Sequence, residues 1–361
     1  MSNSMQNVFL TGANGFVACH IVSDLIKAGY LVTAAVRTKA RSEEMIETHP
    51  EWANFIKFVY IPDFTVPGAF DEAIKSEKGN LKYIIHTANP VTMNIVDIEK
   101  ELIDPGVKGT VSLLESVHQY GGPQVKRFVL LSSTAAILNS LKDTSIEGEP
   151  YNENNWNPVT AEIAVKEDSP LLGYCASKTL GEKAAWKFLK ENNTSFDMTV
   201  LNPDVIIGPM LHNVSTPARI NETNRFTIFN FMDGTRTGTE GWGLPFYSFV
   251  DVRDVSRAHI LSLTSPATSN QRVQLVSGHI TPQLVVNVIR RNFPELKNRV
   301  PEGKPSKVVP DGVQMSRWDN AKSLKVFGRD WKYRDLETSV VDTIKDILRL
   351  EKEWRKQAAN K

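Results

Sequence analysis

The stretch Thr11-Gly12-Ala13-Asn14-Gly15-Phe16-Val17-Ala18 decides the fold. It closes an apolar run, Asn7–Thr11, and opens a helical pattern of about four turns over Phe16–Ala28. Small residues recur at Gly12, Gly15 and Ala18. Gly12 permits the tight turn out of a strand. Gly15 lets backbone approach a pyrophosphate seated on a helix N-terminus, and Ala18 lets that helix pack close on the sheet. The spacing is G-x-x-G-x-x-A rather than G-x-G-x-x-G. Its place between the first strand and the first helix makes it a dinucleotide site, with Asn14, Phe16 and Val17 beside the glycines.

Outward from this turn, short apolar runs alternate with helical patterns for some 200 residues. Strands are expected at Asn7–Thr11, Leu31–Val36, Ile56–Ile61, Tyr83–Thr87, Arg127–Ser132 and Met198–Leu201. Helices are expected at Phe16–Ala28, Phe70–Lys78, Val107–Tyr120 and Tyr174–Asn192. The strands are apolar on both faces, as in a parallel sheet covered by helices on each side. This predicts an α/β fold: a doubly wound parallel Rossmann sheet with a smaller, mostly α C-terminal substrate lobe. Residues 1–205 form the cofactor domain, with returns near 249–277, and 206–361 form the interleaved lobe. In the lobe, Phe249–Leu263 reads as a strand end and helix, Val273–Val276 as a last strand, and Pro282–Phe293 and Leu336–Trp354 as helices.

The bulk properties exclude several classes. Apolar residues make up 41% and charged residues 23%, close to the soluble globular average, which argues against disorder. A net charge of +1 gives no basic excess for nucleic acid or an acidic membrane. Two cysteines, Cys19 and Cys175, make neither a metal motif nor a disulfide framework and are expected to pack. With no signal-like segment and no apolar run of membrane-spanning length, the expectation is a cytoplasmic protein, monomer or homodimer, with no metal.

The second strand reports the cofactor type. It ends Val36-Arg37-Thr38-Lys39-Ala40-Arg41, with no carboxylate before Glu43. An acidic residue here would take the ribose 2′-hydroxyl of NAD, whereas a guanidinium pairs with a 2′-phosphate. Arg37, assisted by Arg41 or Lys39, therefore favours NADP(H). Asp63-Phe64 closes the third strand, where it would border the adenine. Thr87-Ala88 follow the fourth, where small residues let a cofactor pass. His86 reads as a packed strand residue.

Tyr174-Cys175-Ala176-Ser177-Lys178 is a Tyr-x-x-x-Lys motif, and residues four apart share a helix face. The ammonium of Lys178 is expected to draw the Tyr174 pKa down from about 10 toward working pH, suiting the phenol to donate a proton to a carbonyl oxygen. The motif alone is common in a chain with 8 tyrosines and 42 cations. Context gives it weight: the strand Arg127–Leu131 ends in Ser132-Ser133, and a serine at a strand's carboxyl end points into the ligand crevice of an open α/β sheet. Ser133 is the candidate that holds the substrate carbonyl, while Ser132 points to the opposite face.

Together, Thr11–Ala18, the Arg37 loop, His86–Pro90, Ser133 and Tyr174–Lys178 resemble an extended short-chain dehydrogenase/reductase, and specifically the dihydroflavonol-reductase-like branch with its yeast and fungal aldehyde/ketone reductases of the methylglyoxal type. Pro105–Leu114, Trp156-Asn157-Pro158, Asn202-Pro203, Gly208-Pro209 and Phe249–Val255 add to the resemblance, which weakens after Asn270. It implies hydride transfer from NADPH to a ketone or aldehyde. It makes Ser133, Tyr174 and Lys178 the catalytic set, with Lys178 also on the nicotinamide ribose, and puts Pro203 and Val205 beside the nicotinamide. Val91, Thr134, Trp156 and the Phe226–Phe246 segment are expected to line the substrate pocket. Asn89, where a serine is usual, and Val91-Thr92-Met93, where an aromatic is frequent, depart from the pattern, so no relative's substrate transfers directly. The rivals are a sugar-nucleotide epimerase or dehydratase, against which Arg37 argues, a hydroxysteroid or flavonoid oxidoreductase, and a non-catalytic NADP(H)-binding protein.

Overall fold

The computed structural model describes residues 6–89, 95–142, 148–242 and 245–359. Seven strands, β1 (Asn7–Thr11), β2 (Leu31–Val36), β3 (Ile56–Tyr60), β4 (Leu81–His86), β5 (Arg127–Leu131), β6 (Asp197–Pro203) and β9 (Gln271–Leu275), form one sheet in the order β3-β2-β1-β4-β5-β6-β9. Every pairing in it is parallel. The order reverses between β1 and β4, and that switch point, at the carboxyl ends of the strands, is where such sheets bind ligands.

Alternation along each strand distributes two cores. Val8, Leu10, Val32, Ala34, Ile85 and Val129 face α1 (Phe16–Lys27) and α9 (Val252–Thr264). Phe9, Ala35, Ile84, Phe128, Leu130 and Val200 face α3 (Asp71–Ser76), α4 (Asp104–Tyr120) and α6 (Pro170–Glu191). Both sheet faces are covered, which is why the strands read as unbroken apolar runs. Cys19 and Cys175 are free and buried, as packing residues.

Two further helices lie in the first part of the chain. Lys39–Thr48 is α2, so the basic segment expected as a loop is a helix whose first turn carries Arg41. Only Ser42 and Met45 of it are buried, too sparse a pattern to betray a helix. Ala161–Lys166 is α5.

After β6 the chain builds a lobe around a third core. A small sheet joins β7 (Val205–Ile207), β8 (Ser248–Asp251) and β10 (Gly278–His279) in the order β10-β8-β7. Against it lie α7 (Glu222–Asn224) and α8 (Asn230–Met232), linked by a π-turn, with α10 (Pro282–Asn292) and α12 (Leu336–Ala359). The short α11 (Ala321–Val326) packs against β9. From this part of the chain α9 and β9 return to the large sheet. The C-terminal region is helical as expected, and the small sheet adds strands of two to four residues, too short to show a period. Asp251, fully buried, ties the parts together: it accepts from Arg253 at 2.7 Å and from Ser339 Oγ at 2.8 Å, while Arg253 also reaches Asp342 at 2.7 Å.

Candidate active site

The turn after β1 is a phosphate cradle in form. Gly12 has φ +63°, and a Cβ there would stand 3.1 Å from the Ala88 Cα. Only glycine meets both conditions without strain. Thr11 stitches the neighbouring strand end to this turn. Its Oγ1 lies 2.8 Å from His86 Nδ1 and accepts from the Thr87 and Ala88 N–H groups at 3.1 and 3.2 Å, while the Thr87 hydroxyl donates to the Thr11 carbonyl at 2.6 Å. His86 is thus a packed strand residue, held neutral by burial, which lowers its pKa to about 3. Gly15 is exposed at the start of α1, whose first N–H groups receive no side-chain cap. Those donors and the helix dipole are available to a pyrophosphate. Phe16 turns its ring toward His20 and His212, and Val17 packs on the sheet core, so both residues anchor the helix start.

A cavity of about 440 Å³ runs from this turn along the ends of β2 and β3, lined among others by Gly12, Asn14, Arg37, Arg41, Phe64 and Ala88. The Arg37 side chain is exposed at its mouth. Lys39 pairs with Glu43, and Arg41 with Glu44, which also holds Arg219. Arg37 forms no ion pair within 4 Å among the described residues, although the Asp63 carboxylate feels its charge. It is therefore the cation of this loop best placed to meet an added phosphate. Asp63 accepts from Thr65 N and Oγ1 and sits outside the cavity lining, whereas Phe64 lines it and closes on Gly109. The residues present fit an adenine dinucleotide carrying a 2′-phosphate: an open helix N-terminus, a glycine against Ala88, an apolar slot and an exposed guanidinium.

The catalytic candidates converge where β5 ends. Ser133 caps a 3₁₀ turn, Thr134–Ala136; its Oγ accepts from Ala135 N at 3.1 Å and lies 3.5 Å from the Pro203 carbonyl. Tyr174 and Lys178 ride on α6, which starts at Pro170 behind a Ser169 cap. Lys178 Nζ donates to the Leu131 carbonyl at 3.3 Å, the last residue of β5. The Ser133 hydroxyl lies near enough to the Tyr174 phenol to favour its ionisation. Ser132 points the other way, as its neighbour's orientation requires, and donates to Glu182 at 2.6 Å. What holds α6 this close is its packing on α4. Gly181 meets the Gly106 carbonyl so closely that a Cβ would stand 2.7 Å from it, and Ser177 Oγ donates to the Leu102 carbonyl at 2.7 Å.

One electrostatic expectation is overturned. Tyr174 is not drawn down toward neutrality; burial pushes it up to about 12, outweighing the influence of the nearby Ser133 hydroxyl. The Lys178 ammonium is turned to the Leu131 carbonyl and is itself pulled down to about 8 by burial, with Glu182 opposing. Desolvation wins over the pairwise attraction that spacing alone suggests. A phenol held neutral is still a proton donor.

Trp156, expected at the substrate pocket, is stacked on the Arg272 guanidinium, 3.6 Å from the ring centroid, and lies near Lys183. Arg272 in turn binds Glu182 and the Glu153 and Asn155 carbonyls. That network ties Trp156 to α6. Val91 lies outside the described residues. Thr134 is buried beside Ser133, and Pro203 and Val205 are buried at the β6–β7 junction. Phe246 packs both with the Tyr174 cluster and with the lobe core around Val205, which puts a lobe residue at the rim of the site. Two residues that matter here escaped the sequence reading: Glu182, one turn beyond Lys178, and Asp204, between Pro203 and Val205. A larger depression of about 890 Å³ opens at the opposite, amino ends of β4, β5 and β6. The catalytic candidates are absent from its lining.

A parallel Rossmann sheet with serine, tyrosine and lysine gathered at the end of β5 defines a dinucleotide-dependent enzyme of the short-chain dehydrogenase type. Comparison with known proteins agrees. Residues 8–276 match the NAD dependent epimerase/dehydratase family, and the chain belongs to that family, the extended branch of the short-chain dehydrogenases/reductases. It is 33% identical to the NADPH-dependent methylglyoxal reductase of Saccharomyces cerevisiae over 350 residues, 96% of this chain and 99% of the relative. It is 34% identical to a ketoreductase of Aspergillus niger over 349 residues, 96% of this chain and 99% of the relative. The crystal structure of yeast methylglyoxal/isovaleraldehyde reductase complexed with NADPH superposes with a TM-score of 0.85 at 31% identity, covering 96% of this chain and 99% of that one. A UDP-glucose 4-epimerase from Thermotoga maritima, 20% identical with a TM-score of 0.68, shares the fold.

Proposed function

We propose that this protein reduces the carbonyl group of a ketone or aldehyde to an alcohol with NADPH, with Tyr174 as proton donor. The observation that carries this is the convergence of Ser133, Tyr174 and Lys178 at the end of β5, beside a dinucleotide cavity with Arg37 at its mouth. NADPH, when bound, supplies the hydride that adds to the carbonyl carbon. The Ser133 hydroxyl donates to the carbonyl oxygen and fixes its position. The neutral Tyr174 phenol transfers its proton to that oxygen as negative charge develops there. The Lys178 ammonium holds the ribose hydroxyls and stabilises the phenolate left behind, which is reprotonated from solvent. Gly12, Asn14, Gly15, Thr87 and Ala88 cradle the cofactor, Arg37 and Arg41 take its 2′-phosphate, and Pro203 and Val205 back the nicotinamide. Residues 1–205 act as the cofactor unit, and 206–361 supply the lobe whose Phe246 walls the substrate.

The yeast and fungal relatives named above as NADPH-dependent or ketone-reducing enzymes support this reading. An epimerase reading is disfavoured by Arg37, since an NAD-retaining enzyme has no use for a guanidinium at the ribose 2′ position. The test is absorbance at the reduced-nicotinamide band with NADPH and NADH in parallel, across aldehydes, dicarbonyls, β-keto esters and aryl ketones. Consumption of NADPH in preference to NADH by some members is expected. Retention of bound NAD with no consumption of added NADPH would instead indicate an epimerase.

A further inference from the structure

Asp204 is a carboxyl in an unusual place. It stands between Pro203 and Val205, the two residues assigned to the nicotinamide wall, and is only 6% exposed. One of its oxygens accepts from the Val205 N–H at 2.8 Å. Its own N–H donates to the Leu275 carbonyl, which fixes the backbone. No cation among the described residues compensates it: the groups that favour its charged form are the Val205 N–H and the Thr134 hydroxyl. Burial outweighs them and pushes it up to about 7. Its charge is felt by Tyr174, and the carbonyl of the preceding residue, Pro203, lies 3.5 Å from Ser133 Oγ, so it neighbours the catalytic candidates.

Thr134, on the element opposite, is the second observation. It is 1% exposed, and its hydroxyl, although near enough to Asp204 to favour the carboxylate, makes no hydrogen bond of normal length and angle to any group. Buried polar atoms in native proteins are almost always partnered, and an orphan next to Ser133 calls for a partner from outside the chain. Here the orphan hydroxyl and the second carboxyl oxygen lie together, one residue beyond Ser133 and one beyond Pro203.

We propose that Asp204 and Thr134 form a polar subsite that recognises a hydroxyl group on the substrate, one or two carbons from the carbonyl being reduced. A hydroxyl fits both members at once: it donates to Asp204 and accepts from Thr134. An ammonium group has no lone pair for Thr134, and a plain alkyl group would leave both buried groups unsatisfied. The subsite rests on the reductase reading given above and determines specificity within it; it takes no part in the proton or hydride transfer. A site built to bond a substrate hydroxyl discriminates strongly against the analogue that lacks it.

The test uses purified full-length protein, NADPH and matched pairs of ketones: hydroxyacetone with 2-butanone, and 4-hydroxy-2-butanone with 2-pentanone. The readout is the ratio of kcat/KM within each pair, for the wild type, Asp204→Val and Thr134→Val. The hydroxyl also alters the intrinsic reactivity of the carbonyl, but that effect is the same for every variant and cancels between them. In at least one pair, the ratio is expected to favour the hydroxylated ketone in the wild type and to fall about tenfold or more in each variant, the worth of a lost hydrogen bond to a charged group. Thr134→Val is nearly isosteric and keeps the test open if Asp204→Val fails to fold. Unchanged ratios in the variants overturn the subsite while leaving the reductase assignment intact. If no ketone in the wider panel consumes NADPH, the reductase assignment falls and the subsite with it.

Discussion

Tyr174, the proposed proton donor, shows how far residue identities speak for themselves. Tyr174, Lys178 and Ser133 were legible as types and spacings, but their protonation was not. Spacing predicts a phenol drawn down by a neighbouring ammonium, whereas in the folded chain burial holds Tyr174 up at about 12 and pulls Lys178 down to about 8. The difference is desolvation, which depends on what packs above the helix and leaves no trace in a five-residue motif. It has a measurable consequence. The phenol stays protonated across the neutral range, so the cation is the group that titrates first on the alkaline side. As pH rises through about 8, Lys178 loses its proton and with it the charge proposed to hold the ribose and balance the phenolate. We expect kcat/KM to decline above about pH 8, by up to tenfold per pH unit, in a profile recorded from pH 6 to 10. A profile flat to pH 10 would remove Lys178 from its role. Asp204 illustrates the other limit: nothing in the sequence separates a buried uncompensated aspartate from an exposed one, because the partner it lacks is a spatial fact.

At the scale of elements, the large sheet was readable and the lobe much less so. The first five strands fell within a residue or two of expectation, because a parallel sheet sandwiched between helices demands unbroken apolar runs. The helix Lys39–Thr48 was missed because its polar face dominates, and β7 and β10 of the small sheet because three and two residues are too short to carry a period. Placement of the catalytic helix depends on two features visible only in three dimensions. One is the backbone contact of Gly181 with Gly106. Gly181→Ala would press a methyl into a carbonyl that cannot swing aside, and is expected to cost about 1–3 kcal/mol in urea unfolding together with a loss of activity as Lys178 is displaced. Full activity and unchanged stability would show that α4 and α6 yield freely. The other is Glu182, 1% exposed, which accepts from Ser132, Asn202 and Trp186 and pairs with Arg272. Glu182→Ala leaves Arg272 buried without its counter-ion and is expected to destabilise by about 3–5 kcal/mol. Trp156 belongs to this support, and its removal should lower stability before it changes substrate preference.

At the scale of the whole molecule, Asp251, Arg253, Ser339 and Asp342 tie the end of β8 to α12, and the proposed substrate site lies where the cofactor unit meets the lobe. Binding of the cofactor to the folded state alone must raise thermal stability. At a concentration about 100 times the dissociation constant, the gain is about 2.7 kcal/mol, a rise of several degrees in Tm. NADPH should produce a larger shift than NADH at equal concentration. Arg37→Asp should abolish that difference, since the new carboxylate repels a 2′-phosphate and accepts a 2′-hydroxyl. Equal shifts with both cofactors in the wild type would undo the assignment of Arg37. The melt reads binding without turnover, so it stays informative whichever carbonyl compound proves to be the substrate.

The central claim is that Tyr174 delivers the proton in an NADPH-dependent carbonyl reduction. The direct measurement is single-turnover oxidation of bound NADPH by the best substrate of the panel, in the wild type and in Tyr174→Phe, with NADPH affinity followed by fluorescence in both. A rate at least 10²-fold lower in the variant is expected, with NADPH affinity changed little. A variant that retains more than about a tenth of the wild-type rate would contradict it, since loss of a general acid costs about 10²-fold or more.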